Sequence, residues 1–115
     1  MNELLIKYLE DILNCIIEID EFVATGERTY SHFTKNTLLR RAVERNFEII
    51  GEATNRIKKV SPETNIKSNK QIINLRNLII HSYDNINHQV LWAIVINDLP
   101  NLKIEVQDII SSLKH

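Results

Sequence analysis

Apolar side chains recur at spacings of three and four through the first two dozen residues: Leu4, Leu5, Tyr8, Leu9, Ile12, Leu13, Ile16, Ile17, Ile19, Phe22 and Val23. This period predicts one long amphipathic helix from about Asn2 to Thr25, with Gly26 placed to close it as the C′ residue. The apolar stripe is too wide for a single neighbour to cover, so at least three helices must pack together. Two glycines and two prolines leave little room for the turns of an all-β fold. A length of 115 residues suits one domain spanning 1–115.

The rest of the chain repeats the helical period. Residues 29 to 36 read as a loop holding one short turn, with Tyr30 and Phe33 tucked on the core and His32 solvated. A second helix is predicted from a Thr34 or Asn36 cap to about Lys59. Its buried edge is Leu38, Leu39, Ala42, Val43, Phe47, Ile50, Ala53 and Ile57. Gly51 inside it costs about 1 kcal/mol relative to alanine, a cost that close approach of another helix would explain. Ser61-Pro62-Glu63-Thr64 is a capped break, and the polar linker 65–70 is expected to be the most mobile stretch. A third helix over about 69–81 buries Ile72, Ile73, Leu75, Ile79 and Ile80. Asn87 caps a fourth, with Val90, Leu91, Ile94 and Val95 inward, and Pro100 should kink or interrupt it. A last segment carries Leu102, Ile104, Val106, Ile109, Ile110 and Leu113. The fold class is all-α, an up-and-down bundle of four to five helices.

No apolar run approaches the roughly 20 residues needed to cross a bilayer. The charges spread over residues 1 to 25 are unlike a secretory signal, so a cytoplasmic protein without membrane contact is expected. The single Cys15 reads as a buried structural thiol. Residues 35 to 76 hold ten cations against four carboxylates, a local charge of +6, while the remainder carries −7. Such a basic middle can present one face to a polyanion. It can equally be a solvated helix surface with pairs such as Arg40 with Glu44 and Glu52 with Arg56.

Chemistry concentrates in Arg76-Asn77-Leu78-Ile79-Ile80-His81-Ser82-Tyr83-Asp84. Arg presents a planar fork of donors suited to phosphate oxygens, and His exchanges a proton near neutral pH. The positions three and four residues from Arg76 hold Ile72, Ile73, Ile79 and Ile80, which points to an external anion as its partner. At about 100° per residue, a straight helix would leave His81 roughly 140° from Arg76. The helix is therefore expected to end near His81, with the chain swinging His81 and Tyr83 toward Arg76. Asp84 and Asn85 read as turn residues. His88 lacks clustered carboxylates or thiols nearby, so no metal site and no cofactor are expected.

These groups suit metal-free RNA cleavage. The ribose 2′-OH is a nucleophile already beside its own phosphodiester, so the enzyme needs a base and cationic stabilisation of the phosphate. Arg76 would clamp the phosphate, His81 would act as base or acid, and Asn77 would orient either. One such His per chain is too few for both proton transfers, and a symmetric dimer would supply the second.

The Arg-x4-His-x-Tyr pattern at Arg76, His81 and Tyr83 resembles the signature of the HEPN superfamily, most closely its HepT-like toxin branch. The resemblance extends to Arg45-Asn46-Phe47-Glu48-Ile49-Ile50-Gly51-Glu52-Ala53 and to Gly26-Glu27-Arg28-Thr29-Tyr30-Ser31-His32-Phe33, and so covers nearly the whole chain. Family members often carry a Pro-Trp pair before the motif helix, where this chain has Ser68-Asn69-Lys70. The resemblance implies a HEPN-like bundle, a homodimer with a shared cleft, and a ribonuclease toxin of a type II/VII-like toxin–antitoxin pair. It further implies a small nucleotidyltransferase antitoxin that moves AMP from ATP onto Tyr83. A non-catalytic, nucleotide-binding scaffold or substrate for such a transferase is the alternative.

Overall fold

The computed structural model describes residues 2–81 and 87–114, over 77–81 by backbone alone. Its helices are α1 (Glu3–Ala24), α2 (Tyr30–Lys35), α3 (Thr37–Val60), α4 (Lys70–His81), α5 (His88–Ala93) and α6 (Leu99–Leu113). A π-helical turn, Ile94–Asp98, joins α5 directly to α6. Taking those three as one interrupted rod gives the all-α bundle that the periodicity predicts. No strand occurs among the described residues. Among them, too, no helix is long and apolar enough to cross a membrane.

Helix α1 packs against both α3 and α6, which is how its wide stripe is covered. The core runs through Leu9, Ile12, Ile16 and Ile19 of α1, Phe47, Ile50 and Ile57 of α3, Ile72 of α4, and Leu91, Ile94 and Leu99 of the last rod, all fully buried. Phe33 of α2 is also sealed in, its ring 5.1 Å from that of Trp92. Cys15 is buried, and loss of solvent, reinforced by the nearby charges of Glu18 and Asp11, pushes its thiol up to about 11.

The helix starts follow local chemistry. Asn36 Oδ1 accepts from the Leu39 amide at 3.0 Å, and Asn87 Oδ1 accepts from the Gln89 and Val90 amides at 2.8 and 3.3 Å. Pro100 has no N–H to answer the carbonyl one turn back, and the wider π turn lies just before it, with the Leu99 amide donating to the Ile94 carbonyl.

Several expectations are corrected. Gly26 does not adopt positive φ; α1 ends instead on Thr25, whose hydroxyl donates to the Phe22 carbonyl at 2.7 Å. A Cβ at Gly26 would lie 2.5 Å from His32 Nε2, so a larger residue there would require the imidazole to shift. His32 is accordingly half-buried in α2, not solvated. Leu38 is 81% exposed, because Leu39 is the residue in line with Val43 and Phe47 on the inward face. Val90 and Ile104 also face outward. Arg40 turns away from Glu44 and donates to the Thr34 carbonyl, a helix-end acceptor of α2, and to Thr37 Oγ1 at 3.2 Å. The linker before α4 is tied down: both oxygens of Glu105 accept from backbone, from the Lys67 and Ser68 amides at 2.9 Å each.

Candidate active site

Arg76 lies one residue beyond Leu75, which is buried with Ile72 on the inner face of α4. The 3.6-residue period turns Arg76 from that face toward its edge, against α3. There its stem lies over Gly51, so closely that a Cβ on Gly51 would overlap Arg76 Cδ and sit 3.1 Å from its Nε. The unfavourable mid-helix glycine therefore has a physical reason. It opens the notch in which the arginine stem lies.

The guanidinium then meets α3 again. Arg76 Nη2 donates to Glu52 Oε2 at 3.3 Å, while Glu52 Oε1 lies 3.4 Å from Arg56 Nη2. Arg56 in turn lies over the Tyr8 ring, 5.8 Å from its centroid. The Glu52–Arg56 pair is the one that spacing predicts; Arg76 has no carboxylate within a turn of its own helix, as expected, but Glu52 is a partner besides any external anion. The partner comes from another helix, where local spacing could not reveal it. Glu52 is 51% exposed, and an ion pair that open contributes about 1 kcal/mol or less. A phosphate can share the guanidinium with such a partner, since that group has five donors.

Arg76 lines a groove of about 510 Å³ between α1, α3 and α4, with Asp11, Arg45, Glu48, Glu52 and Arg56. Arg45 and Glu48 approach at 4.0 Å. The basic middle of the sequence is thus folded against carboxylates here, and the groove holds charges of both signs.

The remaining predicted site residues are placed less fully. Asn77 and His81 belong to the C-terminal part of α4, but their side chains lie outside the described residues. Tyr83 lies outside them altogether, as do the turn residues Asp84 and Asn85 and the expected swing of the chain beyond His81. Of the motif, the structure therefore brings Arg76 to the α3 groove. His88, set aside as a metal ligand, has its Nδ1 2.9 Å from Thr34 Oγ1. Sequence reasoning missed Gly51 and Glu52 as neighbours of Arg76. The signal that could have found them is a helix-breaking glycine followed by a carboxylate, in a block that also carries the family resemblance.

Comparison with known proteins identifies the family. The model of the family described as "Ribonuclease HepT-like" matches residues 12–109. The "Probable ribonuclease HepT" of Thermococcus cleftensis is 37% identical over 100 residues, covering 84% of this chain and 86% of that protein. The "Putative RNase MJ0127" of Methanocaldococcus jannaschii is 35% identical over 112 residues, covering 93% of this chain and 88% of its own. No solved structure matches the chain. With a family match over most of its length and relatives of this similarity over more than four fifths of both chains, the chain belongs to the HepT-like ribonuclease family.

Proposed function

We propose that this endoribonuclease cleaves RNA without a metal ion, in a cleft shared by two copies of the chain, and serves as the toxin of a toxin–antitoxin pair in the cytoplasm. The observation that carries the reading is the arginine of the Arg-x4-His-x-Tyr motif standing at a groove edge, in a chain of ribonuclease kinship. Arg76 clamps the scissile phosphate, and its fixed charge stabilises the crowded phosphorane-like transition state. His81 of one protomer takes the proton from the 2′-OH as its oxygen attacks phosphorus. His81 of the second protonates the departing 5′-oxygen, which leaves a 2′,3′-cyclic phosphate and a 5′-hydroxyl. Asn77 orients the phosphate or the imidazole.

The partner that restrains it is a small nucleotidyltransferase. In that step the Tyr83 phenolic oxygen attacks the α-phosphorus of ATP, pyrophosphate leaves, and the phenolic proton passes to solvent or a base on the transferase. The tyrosyl AMP adds bulk and negative charge near Arg76, and so excludes RNA.

Cleavage of RNA by the purified protein in EDTA tests the reading. Wild type should cut, while Arg76→Ala and His81→Ala should each lose at least about a hundredfold. Activity that vanishes with EDTA, or survives in both variants, would overturn the mechanism. Intact mass after incubation with the transferase and ATP tests the modification: an adduct of AMP mass is expected on wild type and not on Tyr83→Phe. An adduct without any RNA cleavage would favour the non-catalytic scaffold instead.

A further inference from the structure

The contact of Arg76 with Gly51 and Glu52 carries more than a description of where the arginine sits. An arginine side chain has many rotamers, and a clamp that must meet a phosphate in one geometry works only if something else selects among them. Two features of α3 do so independently. The missing Cβ at Gly51 leaves the notch that the Arg76 stem fills. One residue on, Glu52 takes the guanidinium at 3.3 Å with one oxygen while its other oxygen faces Arg56 at 3.4 Å, so the carboxylate is itself held from two sides. Neither feature is accounted for by stability. Glycine in the middle of a 24-residue helix weakens it, and a half-exposed ion pair adds little.

We propose that Gly51 and Glu52 form a positioning seat for Arg76, which fixes the guanidinium for an RNA phosphate without either residue touching the substrate. The inference rests on the reading of Arg76 as the phosphate clamp. It also gives the α3 block a role in catalysis: the helix that does not carry the motif sets the aim of the motif's cation.

The test is steady-state RNA cleavage together with thermal melting, for Gly51→Ala, Glu52→Ala and Glu52→Gln. Arg76→Ala and Arg76→Lys serve as references, and Asp20→Asn, which removes a half-exposed carboxylate paired with Lys103 outside the groove, as control. Alanine is the better helix former, so Gly51→Ala should melt at or above the wild-type temperature while its kcat falls by about ten- to a hundredfold, with KM changing far less. Glu52→Ala should show the same kcat loss. Glu52→Gln should recover most of it, because the amide oxygen still accepts from the guanidinium. In the Arg76→Lys background, where the planar fork is gone, Glu52→Ala should cost nothing further.

The seat is overturned, and the clamp kept, if Arg76→Ala is inactive while Gly51→Ala and Glu52→Ala cleave like wild type. It is overturned as well if Glu52→Ala is fully additive with Arg76→Lys, if Asp20→Asn loses as much as Glu52→Ala, or if the Gly51→Ala loss simply follows a lower melting temperature. Wild-type cleavage by Arg76→Ala would remove the clamp and the seat together.

Discussion

At the scale of single residues, burial decides what each polar or reactive group can do. Cys15 lies among Ile12, Ile16 and Ile19, and its thiol is pushed up to about 11 from an ordinary value of 9.0. Since the folded value exceeds the unfolded one, the thiol's contribution is fully present below pH 9.0 and is lost as pH rises toward about 11. Native protein at pH 8 should therefore resist iodoacetamide, and Cys15→Ala should flatten the alkaline fall of stability between those two values. Rapid alkylation without unfolding would contradict this. Thr54 and Asn69 are a second case. Asn69 Nδ2 donates to Thr54 Oγ1 at 2.8 Å, the Thr54 hydroxyl donates to the Ile50 carbonyl at 2.9 Å, and both residues are buried. Thr54→Val keeps the volume but strands the Asn69 amide, so urea unfolding should show a loss of about 1–3 kcal/mol. The Cys15 burial is readable from its place on the α1 stripe. The Thr54–Asn69 bond joins α3 to the turn before α4 and leaves no local trace.

Among the elements, what the period and caps dictate locally is what the structure reproduces. The spans of α1, α3 and α4, the Asn36 and Asn87 caps and the break near Pro100 all follow from side chains within a turn of the feature they control. Errors arise where two adjacent apolar residues compete for one face, as Leu38 and Leu39 do, or where the deciding partner is remote. Glu105 is such a partner. It holds the 65–69 linker from the middle of α6, and polarity alone made that stretch look loose. Glu105→Ala should speed amide exchange at Lys67 and Ser68 and increase cleavage of the linker by proteases. The melting transition should move little, since these bonds lie at the surface. Unchanged exchange at both amides would show that the carboxylate does not restrain the linker.

For the whole molecule, the principal extents of 44 × 29 × 18 Å describe a slab less than two helix diameters thick. Every long helix then has an outward face, and function must be sought on faces, not in an enclosed cavity. One face carries charges of both signs beside Arg76. Another carries Leu38 over an apolar hollow of about 350 Å³ lined by Phe22, Leu39 and Ala42. Leu38→Lys should leave monomer stability within about 0.5 kcal/mol of wild type, because the side chain is not part of the core. A larger loss on chemical denaturation would mean that this leucine is covered in solution. The place of the motif cation on α4 is legible in the sequence. Its seat on α3 is not, because only folding brings residue 76 to residues 51 and 52.

The ends of the cut RNA test the mechanism most directly. With EDTA present, an oligoribonucleotide should yield a 2′,3′-cyclic phosphate and a 5′-hydroxyl, and replacing the ribose at the cut site with 2′-deoxyribose should abolish cleavage there. Cleavage of the deoxy-substituted strand at an undiminished rate, or fragments ending in 3′-hydroxyl and 5′-phosphate, would contradict a mechanism in which the RNA supplies its own nucleophile to Arg76 and His81.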